Sequence, residues 1–333
     1  MREASWAVVM TADEPLELLL ANTAWHLATG ALEVHVYLDR PDDPAAEALA
    51  AIAGVVVTRC DTDHWAELAP NWGRPPLQMR RQALNANHAR LHTRADWIIH
   101  LDADEFLRQD AALGRELACF TGMDHEIRFP VWERAYLDAA PTGIFDGVFR
   151  TTTKPLRPMA AAILGDDERY MIDGMMGHSE GKCAVPTEGN WRIGIHWSFR
   201  GKGPQTKSNR VPSPGVRLLH FDGLTPLHFL IKLVRYAGHE AEDLVRLVSE
   251  NRRVQIAELA LGPRALHDRL RVLDGEKCDW LAGFGLMDRR GFDPRPEMER
   301  VLGRVPELSV DAFDAALRAR YPEEVAALEA LGL

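Results

Sequence analysis

Through the first hundred residues, short apolar runs alternate with stretches whose apolar residues recur at helical spacing. Ala7-Val8-Val9-Met10 reads as a buried strand ending at Thr11-Ala12-Asp13-Glu14-Pro15. Proline with acids beside it marks a helix start, and Leu16, Leu19, Leu20, Thr23 and Leu27 then form one helical stripe that stops at Gly30. Val34 to Leu38 is a second strand, broken by Asp39-Arg40-Pro41. An alanine-rich helix, Gly54 and a third strand over Val55 to Thr58 follow. A loop rich in Trp and Pro runs from Trp65 to Pro76, and a long helix near residues 77–91 feeds a fourth apolar run, Trp97-Ile98-Ile99. This alternation predicts an α/β fold, with a mainly parallel, Rossmann-like sheet flanked by helices on both faces.

The pattern loosens from Glu126 to His220. Ile127 to Trp132 and Lys182 to Val185 look like short strands, whereas Thr151 to Asp173 has no clear period. After Thr225-Pro226 the chain reads as helical, with Leu227, Leu230, Ile231 and Val234 spaced as a buried face. The expected organisation is therefore one domain over 1–224 and a C-terminal helical extension over 225–333. The apolar helix from Leu224 to Tyr236, basic near its end, is of a kind that can lie on a membrane surface. Its few basic residues and the acidity of the whole chain favour core packing instead.

Composition narrows the function. Apolar residues make up 46% and charged residues 26% of the 333, ordinary values for a soluble globular protein. A net charge of −10 argues against nucleic acid as a partner, so any anionic ligand has to be met locally by a metal or a few arginines. The 4 cysteines are widely dispersed, which fits neither a zinc knuckle nor a disulfide framework and suggests a reducing compartment. The apolar run after Met1-Arg2 is too short for a signal peptide, and no later charge-free stretch is long enough to span a membrane. The expected location is cytoplasmic, with peripheral contact at the inner membrane face the variant that the Leu224–Tyr236 helix would allow.

The chemistry concentrates where the fourth apolar run ends, at His100-Leu101-Asp102-Ala103-Asp104-Glu105-Phe106. In an extended chain residues i and i+2 share a side, so Asp102 and Asp104 can converge beyond the strand in an exposed loop. Two such carboxylates suit a hard divalent cation that is also held by phosphate oxygens. The carboxyl edge of an open sheet is also where its ligands sit. A chain this long holds about one Asp-x-Asp by chance, and Asp61-Thr62-Asp63 is a second copy, read as a solvated turn or helix cap. What separates the first copy is the strand before it and Glu-Phe after it. No Gly-x-Gly-x-x-Gly follows the first strand, which disfavours a dinucleotide cofactor.

Four pieces in order resemble the family-two-like bacterial glycosyltransferases of the A-type fold. They are Ala7 to Glu14, Arg80-Arg81-Gln82-Ala83-Leu84-Asn85, the Asp102-Ala103-Asp104-Glu105-Phe106 motif, and Leu218-Leu219-His220-Phe221-Asp222-Gly223. The resemblance covers roughly residues 6 to 235. It implies transfer of a sugar from a nucleotide-diphosphate sugar, a UDP-sugar first of all, to a glycan or lipid-linked acceptor in surface or extracellular polysaccharide synthesis. It also implies a divalent cofactor, Mn2+ or Mg2+.

Carried over position by position, Asp104 would coordinate the metal, and Asp102 would bind the ribose or the metal through water. His220 is the candidate third ligand, with His196 as the alternative and His178 as a weaker one. Thr11, Asp13 and Asp39 fall where the nucleotide is contacted, and Arg81 where a guanidinium would meet the diphosphate. Each has a plainer reading: Asp39 as a turn residue, Arg81 as a surface arginine on a helix. Glu105 either orients the loop or faces solvent, and Lys182 either assists the leaving group or is solvated. Glu133, Asp146 and Glu180 are base candidates, since the Glu-Asp dyad of inverting relatives is absent. Two rival readings stand. One is a haloacid-dehalogenase-type phosphohydrolase, disfavoured because its motif follows the first strand; the other is a non-catalytic nucleotide-sugar-binding module.

Overall fold

A computed structural model of the chain describes residues 2–137, 140–201, 206–207 and 209–333. They form two compact units. The first comprises Met1–Pro130, Glu180–Leu218 and Pro294–Val305, and the second Val131–Ser179, Leu219–Asp293 and Pro306–Leu333. The sequence suggests one boundary near residue 224, whereas the chain passes between these units several times.

In the first unit, β1 (Trp6–Ala12) leads into α1 (Leu16–Ala28), β2 (Glu33–Leu38), α2 (Ala45–Ala50), β3 (Val55–Arg59), α3 (Thr62–Leu68) and α4 (Gln78–His92). β4 (Trp97–His100), β5 (Glu105–Gln109), α5 (Leu113–Ala118) and β6 (His125–Phe129) follow. Pro130 breaks the run expected from Ile127 to Trp132, since proline lacks the N–H a ladder needs. The chain then builds β7 (Val131–Ala135) and β8 (Val148–Thr151) in the second unit and returns in β9 (Lys182–Pro186). The first unit's sheet has the order Asn209–Pro212, β6, β9, β4, β1, β2, β3. Only β9 runs against its neighbours β4 and β6, and the other pairings are parallel. The expected α/β fold with a mainly parallel sheet and flanking helices is the one the chain forms.

Every residue of β1 and β2 is buried, as parallel strands covered on both faces must be. Ala7, Val9 and Ile98 share one face of the sheet with Ala86 and Ala89 of α4, whose small side chains let the helix approach closely. The C-terminal helix Arg295–Leu302 belongs to this unit and packs on α1. Because the chain builds β1, β2 and β3 outward and then adds β4 on the other side of β1, the strand order reverses between β1 and β4. Their carboxyl ends flank a topological switch point.

The second unit holds an antiparallel ladder of β7, β8 and Met287–Asp288, together with helices that begin at Pro226–Ala237. Thr225 caps that helix by accepting from His228 N–H. Phe229, Leu230, Ile231 and Leu233 are at most 1% exposed, so the apolar face is core, as its charge pattern favours. No helix among the described residues is long and apolar enough to cross a membrane. The stretch 151–173, without period in sequence, contains the helix Arg157–Leu164 flanked by 3-10 turns.

Asp61 is the N-cap of α3 and accepts from His64 N–H at 2.9 Å, the plainer of its two readings. Asp61→Ala should therefore cost about 1 kcal/mol of stability and leave nucleotide binding unchanged. Urea denaturation beside a UDP titration checks both halves, and a loss of binding would contradict the assignment.

Candidate functional site

The acidic motif begins just past β4. Asp102 to Glu105 do not continue the strand in extension, as the i, i+2 argument assumes, but close a tight turn. Glu105 N–H donates to the Asp102 carbonyl at 3.0 Å, and Asp102 N–H donates to Glu105 Oε2 at 2.8 Å. Most of the turn is buried rather than exposed: Asp104 is 4% exposed and Glu105 fully covered, while the Asp102 side chain keeps 28% exposure. Glu105 thus orients the loop, one of its two expected roles.

Three further side chains fix the turn. Asn22, a buried polar residue in apolar α1, donates to the carbonyls of Ala103 at 3.0 Å and Glu105 at 2.8 Å. His26, one helical turn on, lies 2.9 Å from Asn22 Oδ1 through Nδ1 and accepts Leu107 N–H through Nε2. Accepting at Nε2 makes Nδ1 the protonated nitrogen, so the ring is neutral. Burial agrees, lowering the His26 pKa to about 4. The third is Lys182, 1% exposed at the start of β9. Its ammonium donates to Asp102 Oδ2 at 2.9 Å and stands 3.4 Å from Glu105 Oε2. It is not the solvated lysine of the plainer reading. Burial alone would raise the Asp102 carboxyl, but the Lys182 charge outweighs it and holds Asp102 well below the usual carboxylate range. Burial would likewise lower Lys182, and the two carboxylates raise it above an ordinary lysine instead.

One face of α4 reaches the ends of three strands. Gln82 donates to Asp102 Oδ1 at 2.5 Å, and Asn85 donates to Thr11 Oγ1 at 2.9 Å while its Oδ1 lies 2.9 Å from His64 Nε2. Arg81 forms a two-point pair with Asp39 at 2.8 Å for each bond and donates a third nitrogen to the carbonyls of Pro75 and Pro76. Asp39 also accepts from Arg74 at 2.9 Å. Asp39 and Arg81, expected to serve the nucleoside and the diphosphate, are thus bound to each other. Asp13 pairs with Arg40 at 2.7 Å. His196 lies near enough to Asp102 to help lower its pKa, and its Nδ1 is 3.1 Å from the Gly181 carbonyl. Glu180 is paired loosely with Arg128, at 3.4 Å, and is 38% exposed.

The second unit holds His220, Glu133 and Asp146. Glu133 of β7 is fully buried. Its Oε1 accepts Met176 N–H at 2.8 Å and Arg150 at 3.2 Å, and its Oε2 accepts Gly177 N–H at 2.7 Å. Burial would raise this carboxyl, but Arg271 and Arg150 hold it lowered. Its oxygens secure the Met176–His178 turn, where His178 lies against His220 with ring centroids 4.8 Å apart. A Cβ on Gly177 would meet His220 Cε1 at 2.6 Å, so only glycine permits this approach. After His220, Asp222 adopts a left-handed conformation with φ 49°, its carboxylate gripped by Arg252 at 3.0 and 3.1 Å. Asp146 accepts Thr142 and Gly143 N–H groups at 2.9 and 2.8 Å and closes a turn. Asn22 and Gly177 are not among the residues marked in the sequence, and Gln82, Asn85 and Asp222 lie inside marked segments without a role of their own. The available signal was a polar residue inside an apolar helical stripe, as at Asn22.

No protein-family model and no curated protein matches the sequence. Loose likeness to solved structures extends to S. aureus TarS residues 1–349, at 13% identity over 98% of this chain and 87% of that one, with a TM-score of 0.32. GalNAc-T7 with UDP, GalNAc and Mn2+ aligns at 12% identity over 84% of this chain and 56% of that one, with a TM-score of 0.37. HddC from Yersinia pseudotuberculosis aligns at 9% identity over 64% of this chain and 92% of that one, at 0.33. Likeness this loose leaves the function to be argued from the chain's own side chains.

Lys182→Met should destabilise the protein by roughly 3–5 kcal/mol, because it strands the buried Glu105 carboxylate and the half-buried Asp102. In the native protein the Asp102 pKa is depressed, so its contribution is present above the unfolded value of about 4 and lost as pH falls below it. In the variant burial dominates and the Asp102 pKa rises, so the deficit should be greatest near pH 7 and shrink toward pH 5. Denaturation at both pH values reads this directly, and a deficit independent of pH would show that packing alone is lost. Gly177→Ala should displace His220 with little global unfolding, visible as a changed His220 ring resonance in an NMR spectrum.

Proposed function

We propose that the protein is a metal-dependent glycosyltransferase that uses a nucleotide-diphosphate sugar, with a UDP-sugar as the first donor to test. The observation that carries this reading is the acidic turn at Asp102–Glu105. It follows β4 at the switch point beside β1, is fixed from α1, α4 and β9, and gathers three carboxylates. Carboxylate oxygens gathered in one fixed turn suit a divalent cation. Oxygen from Asp104 and imidazole nitrogen from His196, which belongs to the same unit, are donors of the right kind for Mn2+. With oxygen donors alone, Mg2+ would be favoured. When bound, the metal would neutralise charge on the leaving diphosphate as a Lewis acid.

The chain's own residues would do the rest. Asp102, held ionised by Lys182, would accept from the ribose or from metal-bound water. Thr11, Asp13 and the Asp39–Arg81 pair form the rim where the nucleoside would rest. Transfer breaks the bond from the anomeric carbon to the diphosphate and joins that carbon to an acceptor oxygen, whose proton has to go to a base. Of the three carboxylates considered, Glu133 and Asp146 secure turns with their oxygens, so Glu180 is the assignment. The acceptor would be a glycan or a lipid-linked sugar of a surface polysaccharide.

Titration with UDP, with and without Mn2+, followed by a UDP-release assay on a panel of UDP-sugars, tests the reading. Metal-stimulated UDP binding and release support it. Binding without turnover would identify a nucleotide-sugar-binding module, and hydrolysis of small phosphate esters a phosphohydrolase. Asp104→Asn should lower turnover by about a hundredfold or more, since the metal's share of such a barrier is several kcal/mol. Circular dichroism should be unchanged. Full activity after EDTA treatment would overturn the metal assignment.

A further inference from the structure

A cavity of about 380 Å³ lies beside the loop that joins α3 to α4, walled by Leu68, Pro70 and Trp72 on one side and by Arg80, Leu84 and Asn87 of α4 on the other. The residues from α4 recur at i, i+4 and i+7 and so form one face of the helix. The volume falls within the range of small-molecule sites and takes one or two sugar rings. Trp72 is 70% exposed, an unusual position for the largest apolar side chain.

The indole is held out from firm anchors. Trp72 and Gly73 N–H both donate to the Ala69 carbonyl at 2.9 Å. Beyond them, Arg74 is tied to Asp39, and Arg81 grips the carbonyls of Pro75 and Pro76. A loop pinned on both sides of an exposed aromatic is preorganised, which removes part of the entropic cost of binding. The Arg80 guanidinium lies 4.5 Å from the centre of the Trp72 ring, which orients the ring. No carboxylate among the described residues is paired with Arg80.

The lining of the cavity carries no carboxylate. From Leu68 through Ala95 there is no Asp or Glu, although the chain as a whole has a net charge of −10. Arg74 and Arg81 are neutralised by Asp39 and Arg94 by Glu33, and Arg80 is the arginine that lines the cavity. The residues lining the cavity include no acid and one arginine, a lining that favours an anion.

We infer that this cavity binds an anionic saccharide, a sugar ring bearing a phosphate or a carboxylate. The C–H face of the ring would rest on the negative face of the indole, and the acidic group would meet Arg80. A peptide is the poorer fit, because extended chains are recognised along a sheet edge or a long groove and this cavity has room for a ring or two. The inference does not depend on the glycosyltransferase reading.

Saturation-transfer NMR and calorimetry with glucose 6-phosphate, glucuronate and glucose test it on the full chain, with inorganic phosphate and a poly-glutamate peptide as further probes. The two charged sugars should bind at least about tenfold more tightly than glucose, a difference of about 1.4 kcal/mol, with saturation strongest on the C–H protons of one ring face. Whichever of the two binds more tightly identifies the group as phosphate or carboxylate. Trp72→Ala should abolish binding, and Arg80→Gln should reduce the charged sugars to the level of glucose. UDP binding should be unchanged in both variants, which separates this site from the acidic turn. Trp72→Phe, which keeps an aromatic face, should retain part of the affinity and serves if the alanine variant folds poorly. Equal binding of all three sugars, phosphate binding as tightly as glucose 6-phosphate, tighter binding of the peptide, or indifference to Trp72→Ala would each overturn the inference.

Discussion

The ammonium of Lys182 sits without solvent between two carboxylates, and much of the first unit depends on that placement. A lone buried charge costs several kcal/mol, so Lys182, Asp102 and Glu105 are stable only together. β9 runs antiparallel to β4, with Ala184 opposite Ile99, which places Lys182 beside the end of β4 where the acidic turn begins. The one reversed strand in a parallel sheet is thereby explained by what it delivers. Without a cation there, Asp102, Asp104 and Glu105 would repel one another within a single turn. Lys182 offsets that repulsion and fixes the geometry of the turn.

The second constraint is the polar face of α4. Arg81, Gln82 and Asn85 reach β2, β4 and β1 respectively, so one helix sets the relative positions of three strand ends. A helix packed by apolar contacts alone can slide by fractions of a turn. Hydrogen bonds to three separate strands forbid that, and the carboxyl edge inherits the rigidity. The alanines on the same helix, Ala86 and Ala89, let it come close enough for these short polar side chains to reach.

The second unit uses the same device around Glu133. A buried acid accepts two backbone amides and is balanced by Arg150 and Arg271, and the turn it secures brings His178 onto His220. Asp222 is also lowered. Burial would raise it, and Arg252, His220 and Arg271 together prevail. His220 Nδ1 lies 4.0 Å from Glu133 Oε2, and its ring lies against that of His178. His220 is 6% exposed in this arrangement.

The sheet was legible because its signals are redundant. Strands β1 to β4 are each announced by an apolar run and by a breaker at the end, and α1 and α4 by their stripes and boundaries. The core role of the helix from Pro226 was legible in its charge pattern. Asp61 was legible as a cap because a tripeptide that common needs context to mean more. What escaped was partnership. Asp39 and Arg81 each look like ligand residues when read singly, and nothing in their spacing, more than forty positions apart, shows that they answer each other. Asn22 escaped for the opposite reason, since a reading that counts apolar residues along a stripe passes over the one polar member. Yet a buried amide in such a stripe must find partners in the fold. At Asn22 those partners are the carbonyls of the acidic turn, so the residue that spoils the apolar pattern of α1 is the one that shapes the candidate site.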